Sequence, residues 1–256
     1  SAADASLNLN EVEVSFLFDM GGVSARVDTD YTADDNGDYA AELDQAFISY
    51  DVFGGTVSVG GIDSQLGFEA FEAPGLYTNT LAFNDSQLPG TDIAVKYTKQ
   101  LDAASSLGVA LVDNGSFIGD ESAGNDTEVE VAYGRDLGNG LGAFVGLRSD
   151  VNGDDLVNGY VTYETGAMLF AAEIADGETD TDLMFLANYA YADNASVTVR
   201  YTTEENGAVG GGDDLDILTL AHQLALADNL SLTTELTDNG QDEDEHEFSV
   251  GLLFTF

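Results

Sequence analysis

The stretch "HEFSVGLLFTF", residues 246–256, places apolar side chains at every second position. These apolar positions are Phe248, Val250, Leu252, Phe254 and Phe256. A period of two is typical of a β-strand with one apolar and one polar face. Because a chain terminus is usually frayed unless other structure holds it, the apolar ending indicates that this stretch is a working strand of the fold.

The same alternation recurs along the whole chain. It is present in "VSARVDTDYT" at 23–32, in "TEVEVAYGR" at 127–135 and in "ASVTVRYTT" at 195–203. No stretch has the period that would predict a helix. The sequence therefore predicts an all-β fold in which most strands have one apolar face.

Short and long connections alternate between these strands. Tight turns such as "FGG" at 53–55 and "GNG" at 138–140 are followed by acidic segments such as "IGDESAGND" at 118–126. This arrangement is typical of an up-and-down barrel with turns at one rim and loops at the other. We therefore expect residues 1–256 to form a single transmembrane antiparallel β-barrel, with a soluble β-sandwich as the alternative.

The number of strands carries a further expectation. The pattern gives about 15 strands, whereas bacterial single-chain barrels usually have an even number with both termini on the turn side. We expect one more strand ahead of Ser1, which would bring the intact barrel to about 16 strands.

The charge balance limits the partners. The chain has 6 Lys and Arg residues against 48 Asp and Glu residues, a formal net charge of -42. Nucleic acid is excluded because phosphate binding depends on clustered basic residues. A hydrophobic content of 44% is nevertheless too high for an acidic disordered chain. The acidity suggests a halophilic protein, because salt screens repulsion between the loops.

Two stretches of the chain resemble known outer-membrane proteins. The ending resembles the C-terminal signature of Gram-negative outer-membrane proteins, which implies that Phe254 and Phe256 are a signal for the barrel-assembly machinery. Residues 7–31 and 42–83 look like the N-terminal part of the OmpL-like β-barrel porin family. The matching elements are Gln45, Ala46 and Phe47, then Gly60 and Gly61, then Gly67, Phe68 and Glu69.

The resemblance implies a location and a set of partners. The location is the bacterial outer membrane, with outer-membrane lipid and lipopolysaccharide around the barrel. Ile62 and Asp63 stand where a basic residue is common in the family, so no ion preference is carried over. A homotrimer needs a flat apolar outer wall, and small outward-facing residues such as Gly159 and Ala187 are compatible with one.

The polar strand faces supply the candidate site. If the apolar faces meet lipid, the charged side chains of the other faces line the pore. The candidate pore-lining residues are Arg26, Asp28, Asp30, Glu69, Glu72, Lys96, Glu128, Glu130, Arg148, Glu164, Arg200 and Glu235. The basic members either create a transverse field across the pore or pair with neighbouring acids and brace the wall.

The segment 66–90 is the longest loop, and it is unusually apolar. Because an exposed apolar loop is a liability, we expect it to fold into the lumen as a constriction. The alternatives are a cap over the barrel or a contact with a partner.

Catalysis and metal binding find little support. His222 and His246 fall on different predicted strands, and no nucleophile elbow is present. We therefore predict no enzyme activity and no cofactor. The oxygen-rich loops have two interpretations, a Ca²⁺ site or a solvated turn without a bound ion. The residues concerned are Asp34, Asn36, Asp38, Asp150, Asn152 and Asp154.

These expectations combine into a porin that forms a water-filled channel for ions and small hydrophilic solutes. Acids outnumber bases on the polar faces, so cations would be preferred. The alternatives are a plugged structural or receptor barrel whose acidic loops bind a partner, and an outer-membrane enzyme.

Overall fold

The fold is described from a computed structural model of the chain. It describes residues 11–33, 39–69, 75–83, 88–113, 127–149, 155–178, 180–205, 214–238 and 246–255. Within these ranges there is no helix of the length and apolar character needed to cross a membrane.

All strands in the described residues belong to one antiparallel sheet of 15 strands. Each strand pairs with the strand that follows it in sequence, so the expected up-and-down, all-β topology is confirmed. The strands are β1 (Glu11–Asp19), β2 (Val23–Ala33), β3 (Tyr39–Val52), β4 (Gly55–Asp63), β5 (Thr91–Asp102), β6 (Ser105–Asp113), β7 (Thr127–Gly138), β8 (Leu141–Ser149), β9 (Asp155–Thr165), β10 (Met168–Asp176), β11 (Thr181–Ala192), β12 (Ala195–Glu204), β13 (Leu215–Ala227), β14 (Leu230–Asp238) and β15 (His246–Phe254).

The turns at one rim are tight. Between β7 and β8, Asn139 has φ 56° and Gly140 has φ 81°, the positive values that a type I′ hairpin requires. Between β3 and β4, Phe53 has φ 55° and Gly54 has φ 73°. A positive φ is uncommon for a bulky residue, and at Phe53 the twist of the hairpin imposes it.

The two faces of the sheet have reversed polarity compared with a water-soluble protein. On β13, Leu218 and Leu220 are exposed, whereas Thr219 between them is fully buried. We call the face that carries Thr219 the inner face, and the opposite one the outer face. Water-exposed apolar surface costs about 25 cal/mol per Å² relative to burial, so the outer face requires apolar surroundings.

The strand order ends at β1 on one side and at β15 on the other. The additional strand expected ahead of Ser1 lies outside the described residues.

Candidate pore constriction

The connection between β4 and β5 crosses the space enclosed by the inner faces. Its described parts are 64–69, 75–83 and 88–90. Their hydrogen bonds go to side chains on β7, β9, β10, β12, β13, β14 and β15. We call residues 64–69, 75–83 and 88–90 the inner loop. It contacts the barrel wall at five places. One is the hydrogen bond that Gln223 Nε2 on β13 donates to the Leu76 carbonyl at 3.1 Å, and the other four follow in chain order.

The first place is Glu130 on β7. Ser64 Oγ donates to Glu130 Oε2 at 2.6 Å, and the Gln65 backbone N–H donates to Glu130 Oε1 at 2.9 Å. Gln65 Nε2 donates to the same oxygen at 3.2 Å. Because a buried carboxylate is costly unless it is hydrogen-bonded, these donors allow Glu130 to lie at 1% exposure.

The second place joins β9 and β10. The Gly67 N–H donates to Asn158 Oδ1 at 3.0 Å, and the Phe68 N–H donates to Glu173 Oε1 at 2.9 Å. Asn158 Nδ2 also donates to Glu173 Oε1 at 2.8 Å, so the two wall side chains hold each other. This pair fixes the direction of the loop backbone at 67–68.

The third place is Arg200 on β12, which is 1% exposed. Its Nη1 lies 2.7 Å from Glu69 Oε2 and donates to Thr78 Oγ1 at 2.7 Å. Further bonds from the guanidinium reach the Thr80 carbonyl and hydroxyl and the Leu81 carbonyl. Only a guanidinium offers such a planar fork of donors. Arg200 therefore ties both arms of the inner loop to one wall position.

Glu69 is the loop partner of this guanidinium. Burial raises the pKa of the Glu69 carboxyl above its ordinary value of 4.5, and the Arg200 charge acts in the opposite direction. The pair is thus a buried ion pair in which desolvation of the carboxylate is the larger influence.

The fourth place is Glu235 on β14. The Asn79 N–H donates to Glu235 Oε2 at 2.6 Å, and Thr80 Oγ1 donates to Glu235 Oε1 at 2.8 Å. Asn79 Nδ2 reaches Ser249 Oγ on β15 at 3.0 Å. Residues 79 and 80 of the inner loop are therefore bound to the last two strands, β14 and β15.

Apolar and aromatic contacts complete the attachment. Phe83 of the loop packs in a cluster with Met184 and Leu186 on β11. The Phe68 ring contacts Tyr160 edge-on with centroids 5.5 Å apart, and Tyr160 stacks on Phe144 at 4.6 Å. The polar attachments are thus accompanied by a small hydrophobic core inside the barrel.

Open space remains on the short-turn side of the inner loop. Two cavities of about 710 Å³ and about 510 Å³ are both lined by Gln100, Ser106, Gly134 and Phe144. The larger one also touches Gln65. The inner loop therefore borders this space without filling it.

The inner face of β1–β3 has a different chemistry. Glu13, Asp30 and Glu42 stand opposite one another on β1, β2 and β3. Arg26 Nε lies 2.5 Å from Asp28 Oδ2, and Arg26 Nη2 lies 3.8 Å from Glu13 Oε1. Like charges directly opposite across strands destabilise a sheet, so this acidic row carries a cost to the fold.

Asp44 and Asp63 extend the acidic row along the wall. Asp44 interacts electrostatically with Asp63, Asp28 and Glu13. Lys96 Nζ donates to the Asp63 carbonyl at 2.9 Å, just before the inner loop begins. We call Glu13, Asp30, Glu42, Asp44 and Asp63 the acidic wall.

All six Lys and Arg side chains lie in described residues, so the partners of the candidate bases can be traced. Arg148 contacts Glu128, and its Nη2 lies 2.7 Å from Asp92 Oδ2. Arg26, Lys96 and Arg200 have the partners given above. This geometry agrees with the bracing interpretation of the basic residues, since each contacts an acid or a carbonyl.

The remaining candidates are placed as follows. Glu164 is exposed near the short turns and lines the smaller cavity. Phe254 pairs with Leu230 on β14. Glu72 and Phe256 lie outside the described residues, as do all six candidate Ca²⁺ ligands: Asp34, Asn36, Asp38, Asp150, Asn152 and Asp154. In the described ranges no group of three or more His, Asp and Glu side chains could hold a metal ion.

Some contact residues were not singled out from the sequence. Asn158 and Glu173 receive the loop backbone, and Thr78 and Thr80 bind Arg200. The one available signal was Glu173 itself, an isolated acid within the apolar strand "MLFAAEIAD". Its partner could not be read from the pattern.

Solved structures with similar folds include bacterial outer-membrane proteins. Salmonella typhi OmpF in complex with daunomycin aligns over 96% of this chain and 89% of its own, with a TM-score of 0.74 and 14% identity. A mutant of the Rh. blastica porin aligns over the same shares with a TM-score of 0.67 and 16% identity. The fold is that of the outer-membrane porins.

A further structure with the porin fold is the trimer form of OmpT, an outer membrane protein of Vibrio cholerae. It aligns over 96% of both chains with a TM-score of 0.57 and 14% identity. No protein-family model and no curated protein sequence matches the chain. The resemblance to the OmpL-like family in the N-terminal third therefore stays a prediction.

Proposed function

We propose that this chain is an integral outer-membrane porin that forms a water-filled diffusion channel for ions and small hydrophilic solutes. The observation that carries the proposal is the inner loop, which is attached to seven strands of the wall and borders open cavities. A loop held at so many places supports a constriction of fixed width. In this proposal, residues 1–256 form one barrel domain and perform no chemistry.

Cation preference follows from the distribution of charge. The acidic wall carries five carboxylates, and the Arg26 charge beside it is already matched by Asp28. Fixed charges in a low-dielectric channel attract ions of opposite sign and repel ions of the same sign. Cations would therefore pass along β1–β4, where the five carboxylates of the acidic wall outnumber the neighbouring bases Arg26 and Lys96.

The surroundings and partners are part of the same proposal. The apolar outer face would contact outer-membrane lipid and lipopolysaccharide, and Phe254 and Phe256 would be read by the barrel-assembly machinery. A homotrimer is proposed on the trimer form of a protein with the same fold. The OmpL-like relationship and a saline habitat rest on the sequence alone.

The experiment is single-channel recording of the purified, folded protein in a planar bilayer under a KCl gradient. Stepwise conductance with a cation-selective reversal potential is the expected result. Anion selectivity would keep the channel and overturn the role of the acidic wall. A folded barrel without conductance would overturn the porin proposal in favour of a plugged barrel.

A further inference from the structure

Three inner-face glycines lie directly behind the inner loop. Gly108 is on β6, Gly146 is on β8 and Gly251 is on β15. None of them has a positive φ in the range that L-residues avoid, so backbone conformation does not require glycine at these positions. The reason must lie in the space that a side chain would occupy.

That space is already taken by loop side chains. A Cβ atom on Gly108 would lie 1.7 Å from Gln65 Oε1, and one on Gly146 would lie 2.1 Å from Leu66 Cδ2. A Cβ atom on Gly251 would lie 2.6 Å from Asn79 Oδ1. Real Cβ atoms essentially never approach another heavy atom closer than 3.0 Å. Any side chain at these positions would therefore displace the loop or force its side chains to new rotamers.

The contacting loop residues have little freedom to move away. Leu66 is only 2% exposed. The Gln65 side-chain amide donates to Glu130 Oε1 at 3.2 Å, and the Asn79 side-chain amide donates to Ser249 Oγ at 3.0 Å. The backbone N–H groups of both residues are also hydrogen-bonded to the wall. Gln65 also borders the larger cavity, so the loop has wall on one side and open space on the other. Bulk added behind the loop would thus push it toward the open space.

We propose that Gly108, Gly146 and Gly251 are specificity-determining residues that set how closely the inner loop lies against the wall, and thereby the largest solute that passes. This inference rests on the proposed porin function. In this proposal, the size limit depends on the distance between the loop and the wall as well as on the loop's own side chains. The solutes concerned are neutral hydrophilic molecules, for which size rather than charge decides passage.

The test uses a size exchange between wall and loop. Gly146→Val adds bulk behind the loop, Leu66→Ala removes the side chain that it would meet, and the double variant combines them. Ala143→Val is the matched control, because it also adds bulk to β8 but on the outer face, in phase with the exposed Val145. Single-channel conductance and the swelling of liposomes in sugars of graded size are the functional measurements.

We expect Gly146→Val to lower conductance and to slow the larger sugars several-fold more than the smaller ones. The double variant should return both toward wild type, and Ala143→Val should match wild type. If Gly146→Val conducts like wild type, or if Leu66→Ala fails to rescue it, the inference is overturned while the porin proposal stands.

Limited digestion of the folded barrel with chymotrypsin gives a readout that does not depend on conductance. The loop aromatics Phe68, Tyr77 and Phe83 should be protected in wild type and cleaved faster in Gly146→Val, with protection restored in the double variant. A silent wild-type channel would overturn the porin proposal, and this digestion would still decide whether the glycines seat the loop. Equal protection in all variants would overturn the inference.

Discussion

Carboxylates serve opposite purposes on two parts of the inner face. Under the inner loop, Glu130, Glu173 and Glu235 each accept hydrogen bonds from loop backbone N–H groups. On β1–β3, Glu13, Asp30 and Glu42 face one another in a row. The first group lowers the energy of the fold and the second raises it. The same residue type therefore anchors a loop in one region and supplies unbalanced charge in the other.

The largest expected effect comes from removing the guanidinium that binds both arms of the loop. Arg200→Met leaves Glu69 as a buried carboxylate without its cation, a change that typically costs about 3–5 kcal/mol. We expect a less stable barrel and a conductance altered by the released loop, measured by thermal unfolding and planar-bilayer recording. Arg200→Lys keeps the charge but loses the planar fork of donors, so its stability and conductance should lie between those of wild type and Arg200→Met. Unchanged conductance in Arg200→Met would contradict the anchoring role.

A smaller effect is expected from one anchoring carboxylate. Glu235→Ala removes the acceptor for Asn79 N–H and Thr80 Oγ1. Because a buried donor without an acceptor costs about 1–3 kcal/mol, the free energy of unfolding should fall by about that amount. Glu247→Ala, at an exposed position on β15, is the control in the same denaturation experiment and should have little effect. Equal losses in both variants would remove the distinction between anchoring and exposed acids.

Neutralising a carboxylate of the acidic wall should raise the stability of the barrel, whereas removing an anchoring carboxylate lowers it. Replacing Asp30 by Asn relieves repulsion with Glu13 and Glu42, so stability should rise by roughly 0.2–1 kcal/mol. The reversal potential in a KCl gradient should at the same time move toward lower cation selectivity. Arg26→Gln should move the reversal potential toward higher cation selectivity, so the two variants should shift it in opposite directions. A shift of the same sign in both variants would count against control by this wall.

The smallest effect concerns pH. The pKa of Glu69 is raised above 4.5 by burial, so the folded protein holds this proton more tightly than the unfolded chain does. The contribution of Glu69 to the free energy of unfolding should therefore decrease as pH rises through its folded pKa. Glu69→Gln should lack this phase when unfolding is followed at several pH values. A phase that persists in Glu69→Gln would assign it to another group.

Most of the fold could be predicted from the local pattern of apolar, polar and turn residues. The alternation in "VSARVDTDYT" predicted a strand at 23–32, and β2 runs over Val23–Ala33. The turn "GNG" at 138–140 forms the hairpin between β7 and β8. Both features depend on neighbouring residues, so they can be read directly from a sequence.

The attachments of the inner loop could not be read in this way. Arg200 and Glu130 were identified as inner-face residues from their polar positions, but their partners are distant in sequence. Phe68 and Glu173 are separated by 105 residues, and no periodicity links them. Nothing in the sequence distinguishes Gly108 and Gly146 from other strand glycines, because their role depends on the contacts with Gln65 and Leu66.

The contact between Asn79 and Glu235 also has a consequence for assembly. These residues are separated by 156 positions, so the contact closes one of the longest loops in the chain. Long-range contacts form late because their closure entropy must be offset by structure already made. The inner loop would therefore be attached first to earlier strands such as β7, β9 and β10, and it would reach its final position only when β14 arrives. Its width is a property of the finished barrel, acquired in the last steps of folding.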